Sequence, residues 1–358
     1  MKLLIAAGGT GGHIFPGLAV AEAFIAADAA NEVIFVGTPH GMEGRIIPAY
    51  GFRLLTVDAR PFLGQNVLRK MATIARIIQG VAQCLRILRQ EKPDRVIGMG
   101  GFTCVPVMIA AFLLRVPRFL HEQNVVPGLA NQALCRIADR TFVSFTKTGE
   151  YLKGSVLHTG NPIRKKLRID SRFVPAPGTD DLFNIFVFGG SRGARSINEA
   201  MLLLLPYLES YKNTAIYHQT GNDDYEKVKQ AYTTVKIPHE VFPFTDEMEK
   251  YYRLSDVVIS RAGASTIFEL SYFRKAAVLV PYPFAAGAHQ WKNAAHVEEI
   301  GGAYVISNDE LTGEKLRSVL KELYEYPELR AKMAKNMGTI YVDKAEELIV
   351  KGIQRHVS

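Results

Sequence analysis

The sequence predicts an α/β protein of two doubly wound domains of similar size, on three observations. Short apolar runs alternate with helical segments through both halves of the 358 residues, the rhythm of a parallel sheet with helices on both faces. A pattern of strand, glycine loop and helix occurs twice, at Gly8 and again at Gly189, 181 positions later; such recurrence marks a repeated unit. Between the halves, NPIRKKLRIDSRFVPAPGTDD is irregular and rich in Pro, Arg and Asp, as a domain boundary is.

In the first half the strand-like runs are Lys2–Ala7, Val33–Val36, Arg95–Met99, Arg118–Leu120 and Arg140–Val143, with a helix expected from about Pro16. In the second they are Asn184–Phe188, Ala215–His218, Val257–Ser260 and Ala277–Pro281, with a helix from Ala194. Ligands of such sheets sit beyond the carboxyl ends of the strands, so both glycine loops are expected to open into a cleft between the domains.

A glycine loop that ends at a helix start offers unpaired backbone N–H groups and the positive end of the helix dipole, which together hold phosphate. GGTGGH (Gly8–His13) lacks the third glycine of the dinucleotide fingerprint, and Gly37-Thr38 stands where an acidic residue would bind ribose, which disfavours a dehydrogenase. No loop carries the Lys-Ser/Thr of a nucleoside triphosphatase. Gly98-Met99-Gly100-Gly101-Phe102 is a third loop of the same kind. Each loop alone reads equally as a tight turn; three after three β-runs favour phosphate. His13 reads as a general base, a donor to phosphate, or a cap residue without chemistry, since a helix N-terminus disfavours its charged form. SRAGASTIFELSYF places Thr266 in a first helical turn and Glu269 one turn later, where a carboxylate suits the adjacent hydroxyls of a ribose or is an ordinary helix residue.

Net charge is +8, and the first 160 residues hold 17 Lys+Arg against 10 Asp+Glu. The excess points to an anionic partner of the first half (nucleic acid, membrane surface or phosphorylated substrate), or to plain solubility. No basic run interleaved with aromatics appears, which disfavours nucleic acid. Cys84, Cys104 and Cys135 lack the spacing of a disulfide framework or zinc site and read as buried thiols. The longest apolar run, Thr103 to Leu114, is interrupted by Pro106 and too short to span a bilayer; without a secretory pattern at the N-terminus, a cytoplasmic location is expected.

GGTGGHIFPGLAVAE, KPDRVIGMGGF, HEQNVVPGLAN, GNPIR, FGGSRGARSIN, RAGASTIFEL and HQWKNA occur in the order found in the bacterial MurG family of N-acetylglucosaminyltransferases, which the chain resembles along essentially its whole length. The resemblance implies two Rossmann-like domains of the GT-B glycosyltransferase type: residues 1–162 with 340–358 for the acceptor and membrane, and 163–339 for the UDP-sugar donor. It implies inverting transfer from UDP-N-acetylglucosamine to the C4 hydroxyl of the muramoyl sugar of lipid I, without cofactor or metal. On the donor it places Ser191 and Arg164 (phosphates), Thr245 (uracil), Ala264, Ser265 and Thr266 (pyrophosphate and ribose), Glu269 (ribose), and His289, Gln290 and Asn293 (sugar). Thr10, Gly11, Gly12 and Asn124 complete that site. Gly8, Gly9, Gly100 and Gly101 would hold the acceptor pyrophosphate, with His13 as first and Glu122 as second candidate for the base. The chain departs from the family at Arg192, where Gln is common, and at Gly287-Ala288, where an acidic pair is common. The first departure adds positive charge beside the donor phosphates; the second bears on sugar recognition.

A bilayer-anchored acceptor requires docking at the cytoplasmic side of the membrane. Leu68, Met71, Ile74, Ile78, Val81, Leu85 and Leu88 recur at helical spacing among Arg69, Lys70, Arg76, Arg86 and Arg89. Such a stripe is either a core face or a basic amphipathic membrane surface. It is expected to divide, with the turn of Met71 and Ile74 exposed and Phe112-Leu113-Leu114, with Arg115 and Arg118, adding to it. Rival readings are another nucleotide-sugar enzyme of the same fold, such as a UDP-N-acetylglucosamine 2-epimerase or a sterol or polyketide glycosyltransferase, and a non-catalytic nucleotide-sugar or anionic-lipid binding protein.

Overall fold

The structure, a computed structural model, describes residues 1–39, 41–58, 67–168, 182–190 and 192–356, and within these not the side chains of 67–75. It divides into two compact units, Met1–Lys165 with Val342–Ser358, and Lys166–Tyr341.

The first unit is a seven-stranded parallel sheet: β1 (Lys2–Ala6), β2 (Glu32–Gly37), β3 (Arg53–Thr56), β4 (Arg95–Gly98), β5 (Arg118–Glu122), β6 (Arg140–Val143) and β7 (Val156–His158), in the order β3-β2-β1-β4-β5-β6-β7. Its helices are α1 (Gly11–Ala27), α2 (Glu43–Ala49), α3 (Val67–Glu91), α4 (Cys104–Leu113) and α5 (Leu129–Leu134). Successive residues of a strand point to opposite faces, and β1 builds two cores that way. Leu3 and Ile5 join Phe24 of α1 on one face, while Leu4 and Ala6 join Val107 and Met108 of α4 on the other.

The second unit is a six-stranded parallel sheet: β8 (Phe183–Phe188), β9 (Thr214–Gln219), β10 (His239–Phe242), β11 (Val257–Ser260), β12 (Ala276–Leu279) and β13 (Ala303–Val305), in the order β10-β9-β8-β11-β12-β13. Its helices are α6 (Arg195–Leu208), α7 (Tyr225–Tyr232), α8 (Met248–Leu254), α9 (Ala264–Tyr272), α10 (His289–Glu299), α11 (Gly313–Glu325) and α12 (Pro327–Gly338). The last helix, α13 (Ala345–Gln354), packs on α1 of the first unit, burying Ile349, Val350 and Ile353.

The two sheets share a topology. Strand order reverses between β1 and β4 in one and between β8 and β11 in the other, and loops leaving adjacent strands at such a switch point form the binding crevice of a doubly wound sheet. Both glycine loops of the first unit leave this point, after β1 and after β4. One boundary differs from expectation: α1 starts at Gly11, so Pro16 lies inside the helix and His13 in its first turn. All three cysteines are buried, and burial pushes the Cys84 and Cys104 thiols up to about 12. Among the described residues, no helix is long and apolar enough to cross a membrane.

Candidate active site

In the first unit the site gathers around His13. Thr10 is the N-cap of α1 in an extended conformation, so the amides of Gly11 and Gly12 lie ahead of the first helical hydrogen bond. The His13 ring turns back over the loop: Nδ1 lies 3.3 Å from Gly8 O and 3.2 Å from Thr10 Oγ1. Its far side rests on the β4–α4 loop, where a Cβ at Gly100 would stand 3.0 Å from His13 Cδ2 and one at Gly101 3.3 Å from Nδ1. Gly100 and Gly101 have φ of +94° and +78°, the region that favours glycine. The GGTGGH and GMGGF loops are thus one assembly with the imidazole between them.

Glu122 ends β5 and is almost fully buried. Its Oε1 accepts from Asn124 N–H and Nδ2, both at 3.0 Å, and its Oε2 from Gly128 N–H at 3.1 Å and Asn131 Nδ2 at 2.8 Å. Four donors fill the four lone-pair positions of a carboxylate. Glu122, the second candidate for the base, thereby organises the 122–131 segment, including Asn124, and holds Asn131 beside Gly100. Behind it, burial pushes the His121 imidazole down to about 4, so the ring is neutral. His121 Nδ1 accepts from Gln123 Nε2 at 3.0 Å, leaving Nε2–H to donate to Gly160 O at 3.4 Å. The GNPIR segment is tied to β5 in this way, and Arg164 stacks on Phe15 of α1 at 4.6 Å.

In the second unit the glycine loop is held by backbone crossing. A Cβ on Gly193 would lie 1.9 Å from Thr220 O, and one on Gly221 2.2 Å from Arg192 O, so no larger residue fits either place. Gln219, which the sequence did not single out, bridges two expected site segments: Nε2 donates to Gly190 O and Oε1 accepts from Thr245 N–H, both at 3.1 Å. Asn198 and His218 brace them from below. Asn198 Nδ2 donates to Thr220 O at 2.9 Å, and its Oδ1 lies 3.1 Å from His218 Nε2. Ser191 lies outside the described residues.

Gly263 caps α9, so the amides of Ala264, Ser265 and Thr266 form its first turn beyond the end of β11. Glu269 is buried one turn on, and its Oε2 accepts from Tyr252 Oη–H at 2.8 Å. Arg261 is half-buried and donates to neutral partners, Val280 O, Pro281 O, Asn308 Oδ1 and Ser196 Oγ, at 3.0–3.2 Å. On α10, Gln290 Oε1 accepts from Tyr282 N–H at 2.9 Å, and Asn293 is fully buried with Nδ2 3.4 Å from Ala262 O. His289 opens α10 after Ala288, whose φ is +54°.

On the first unit's surface, Ile78 of α3 and Phe112 and Leu113 of α4 are exposed, at 64%, 47% and 57%, and the two helices pack together. Cys84 and Leu88 of α3 are buried, so its C-terminal part faces the core. The side chains of Arg69, Lys70, Met71 and Ile74 lie outside the described residues. Arg118 is turned inward, over the Phe112 ring at 4.9 Å and 3.5 Å from Asp139.

Residues 3–143 match the glycosyltransferase family 28 N-terminal domain, and residues 184–349 the family 28 C-terminal domain. The chain is 40% identical over 361 residues, 99% of its length and 98% of the relative's, to the UDP-N-acetylglucosamine--N-acetylmuramyl-(pentapeptide) pyrophosphoryl-undecaprenol N-acetylglucosamine transferase of Geotalea uraniireducens (strain Rf4). The protein of the same name from Syntrophotalea carbinolica is 42% identical over 329 residues, 91% of this chain and 90% of that one. The crystal structure of Acinetobacter baumannii MurG matches with a TM-score of 0.82 at 30% identity, covering 99% of both chains. UDP-GlcNAc 2-epimerase from Neisseria meningitidis, solved bound to UDP-GlcNAc, matches at TM-score 0.67 and 15% identity over 99% of this chain and 100% of that one, a likeness of fold alone. The two parallel-sheet units are those of the GT-B fold. The chain belongs to glycosyltransferase family 28, in its MurG branch of N-acetylglucosamine transferases.

Proposed function

We propose that this chain transfers N-acetylglucosamine from UDP-N-acetylglucosamine to the C4 hydroxyl of the muramoyl sugar of lipid I (undecaprenyl-pyrophosphoryl-N-acetylmuramoyl-pentapeptide), giving lipid II for peptidoglycan synthesis. The observation that carries this reading is His13, anchored by one glycine loop and packed on another at the β1/β4 switch point. When Nδ1–H donates to Gly8 O, Nε2 is the ring's proton acceptor. It takes the proton of the acceptor hydroxyl as that oxygen bonds to the anomeric carbon. The bond from that carbon to the diphosphate oxygen breaks, its electron pair leaves with UDP, and the configuration inverts.

Charge on the departing diphosphate is met by the amides of Ala264, Ser265 and Thr266 at the positive end of α9, by Ser191 in the second glycine loop, and by Arg164. Glu269, oriented by Tyr252, accepts from the ribose, Thr245 contributes backbone contacts to uracil, and His289, Gln290 and Asn293 serve the sugar. The two loops that carry Gly8 and Gly9, and Gly100 and Gly101, receive the acceptor's diphosphate. Because that acceptor is anchored in the bilayer, the protein works as a peripheral protein at the anionic cytoplasmic face of the membrane, docking through the exposed Ile78 and Phe112 face.

The test is UDP release from UDP-N-acetylglucosamine with and without a lipid I analogue, in the presence of a metal chelator. Release that requires the analogue supports the proposal. UDP release or sugar isomerisation without it favours an epimerase, and donor binding without release a nucleotide-sugar binding protein.

A further inference from the structure

One buried carboxylate of the first unit has no part in the chemistry above. Glu43 opens α2 and is fully buried. Its Oε1 accepts from Thr38 N–H at 2.9 Å and Thr38 Oγ1–H at 2.6 Å, and its Oε2 from Gly9 N–H at 3.2 Å. Burial works to raise its pKa, but the donors of Thr38 and Gly9 outweigh it and hold the carboxyl below its ordinary value. The fit is tight: a Cβ on Gly8 would stand 2.8 Å from Oε1, and one on Gly41 2.1 Å from Oε2. The carboxylate therefore joins the β1–α1 loop to the β2–α2 loop.

The Gly9 N–H that it holds and the Gly8 C=O that faces His13 belong to the same peptide group. In a trans peptide the two point in opposite directions within one plane. Fixing the N–H on Glu43 therefore fixes the carbonyl toward His13 Nδ1, 3.3 Å away. A carbonyl there accepts a hydrogen bond from Nδ1–H and leaves Nε2 as the basic nitrogen, because the bond made by one ring nitrogen sets the state of the other. Charge and geometry pass from the carboxylate through one peptide group to the imidazole.

We infer that Glu43 is a positioning residue for His13, acting through the Gly8–Gly9 peptide to set the ring's tautomer and orientation. The inference rests on the function proposed above, with His13 as the base. Its test is a double-mutant cycle on turnover of a lipid I analogue, with Glu43→Gln and His13→Ala made singly and together. Glutamine keeps the volume but sets an N–H against donors, so the peptide loses its fixed orientation. Glu43→Gln is expected to lower kcat by about tenfold or more in the wild-type background and by less than about twofold in the His13→Ala background, with the KM for UDP-N-acetylglucosamine within about twofold throughout.

An equal loss in both backgrounds, or a folded Glu43→Gln variant with kcat within about twofold of wild type, overturns the inference. Should that variant not fold, Thr38→Ala removes one donor to the carboxylate. It is expected to lower kcat by about threefold, again only where His13 is present, and an equal loss in both backgrounds overturns the inference. Wild-type protein inactive on the analogue would refute the functional reading itself, and with it this inference. An active wild type with an additive cycle refutes only the role of Glu43.

Discussion

The imidazole of His13 lies against the backbone of Gly100, so close that a methyl group on Gly100 would meet the ring at 3.0–3.1 Å. Two loops 90 residues apart in sequence are thereby made to depend on one another. With φ of +94° at Gly100, Gly100→Ala carries backbone strain of about 1–3 kcal/mol in addition to displacing the ring. The variant is expected to unfold roughly 2–10 °C lower by calorimetry and to lose turnover while its KM for the donor is unchanged. Wild-type turnover would show that the contact does not position the base.

His13→Ala removes the proposed base and leaves the donor residues of the second unit intact. General-base catalysis contributes about 10²–10⁴-fold, and kcat should fall within that range, with donor affinity by calorimetric titration within about threefold of wild type. A variant that turns over lipid I normally would take His13 out of the chemistry.

Each unit buries a histidine that stays neutral in the fold: burial pushes His121 down to about 4 and His218 to about 3. In the unfolded chain each titrates near about 6.5. Between the two values the unfolded state binds a proton that the native state does not, so stability is full above about pH 6.5 and falls as the pH drops. Each histidine contributes a slope of up to about 1.4 kcal/mol per pH unit. Urea unfolding at pH 7, 6 and 5 should show midpoints falling with pH, and His218→Gln should flatten the slope of the second unit's transition while lowering its stability at pH 7. An unchanged slope in that variant would contradict the assignment.

The exposed Ile78 and Phe112 belong to the proposed membrane-docking face, with Arg69, Lys70, Met71 and Ile74 as its proposed continuation. In co-sedimentation with vesicles containing anionic lipid, Ile78→Ser with Phe112→Ser should reduce the bound fraction several-fold. Arg69→Ala, Lys70→Ala and Arg76→Ala together should remove most of the salt-sensitive part. Binding that survives both sets would place the docking surface elsewhere.

The fold was legible in the sequence where strands are flanked on both sides, and illegible at the edges. Runs such as Leu3–Ala6 and Ile185–Phe188 are buried on both faces and read as continuous apolar segments. Arg53–Thr56, Val156–His158, His239–Phe242 and Ala303–Val305, the four edge strands, went unrecognised. All four are largely half-buried or exposed and lack the unbroken run of buried residues that marks the central strands. In the site, the glycine loops and His13 were visible because loop and helix start are contiguous. Glu43, Gln219 and the Asn198–His218 pair were not, since each serves a loop of another chain segment and nothing in its own neighbourhood marks it. The start of α1 was misplaced because Pro16 resembles a first-turn proline, while Gly11 and Gly12 are poor helix formers.

The most direct test of the transfer is the structure of its product. Incubated with UDP-N-acetylglucosamine and a lipid I analogue, the protein should yield a disaccharide in which N-acetylglucosamine is joined to the muramoyl C4 oxygen with inverted, β, anomeric configuration by NMR. A retained configuration, a linkage at another oxygen, or free N-acetylglucosamine in place of the disaccharide would contradict the account.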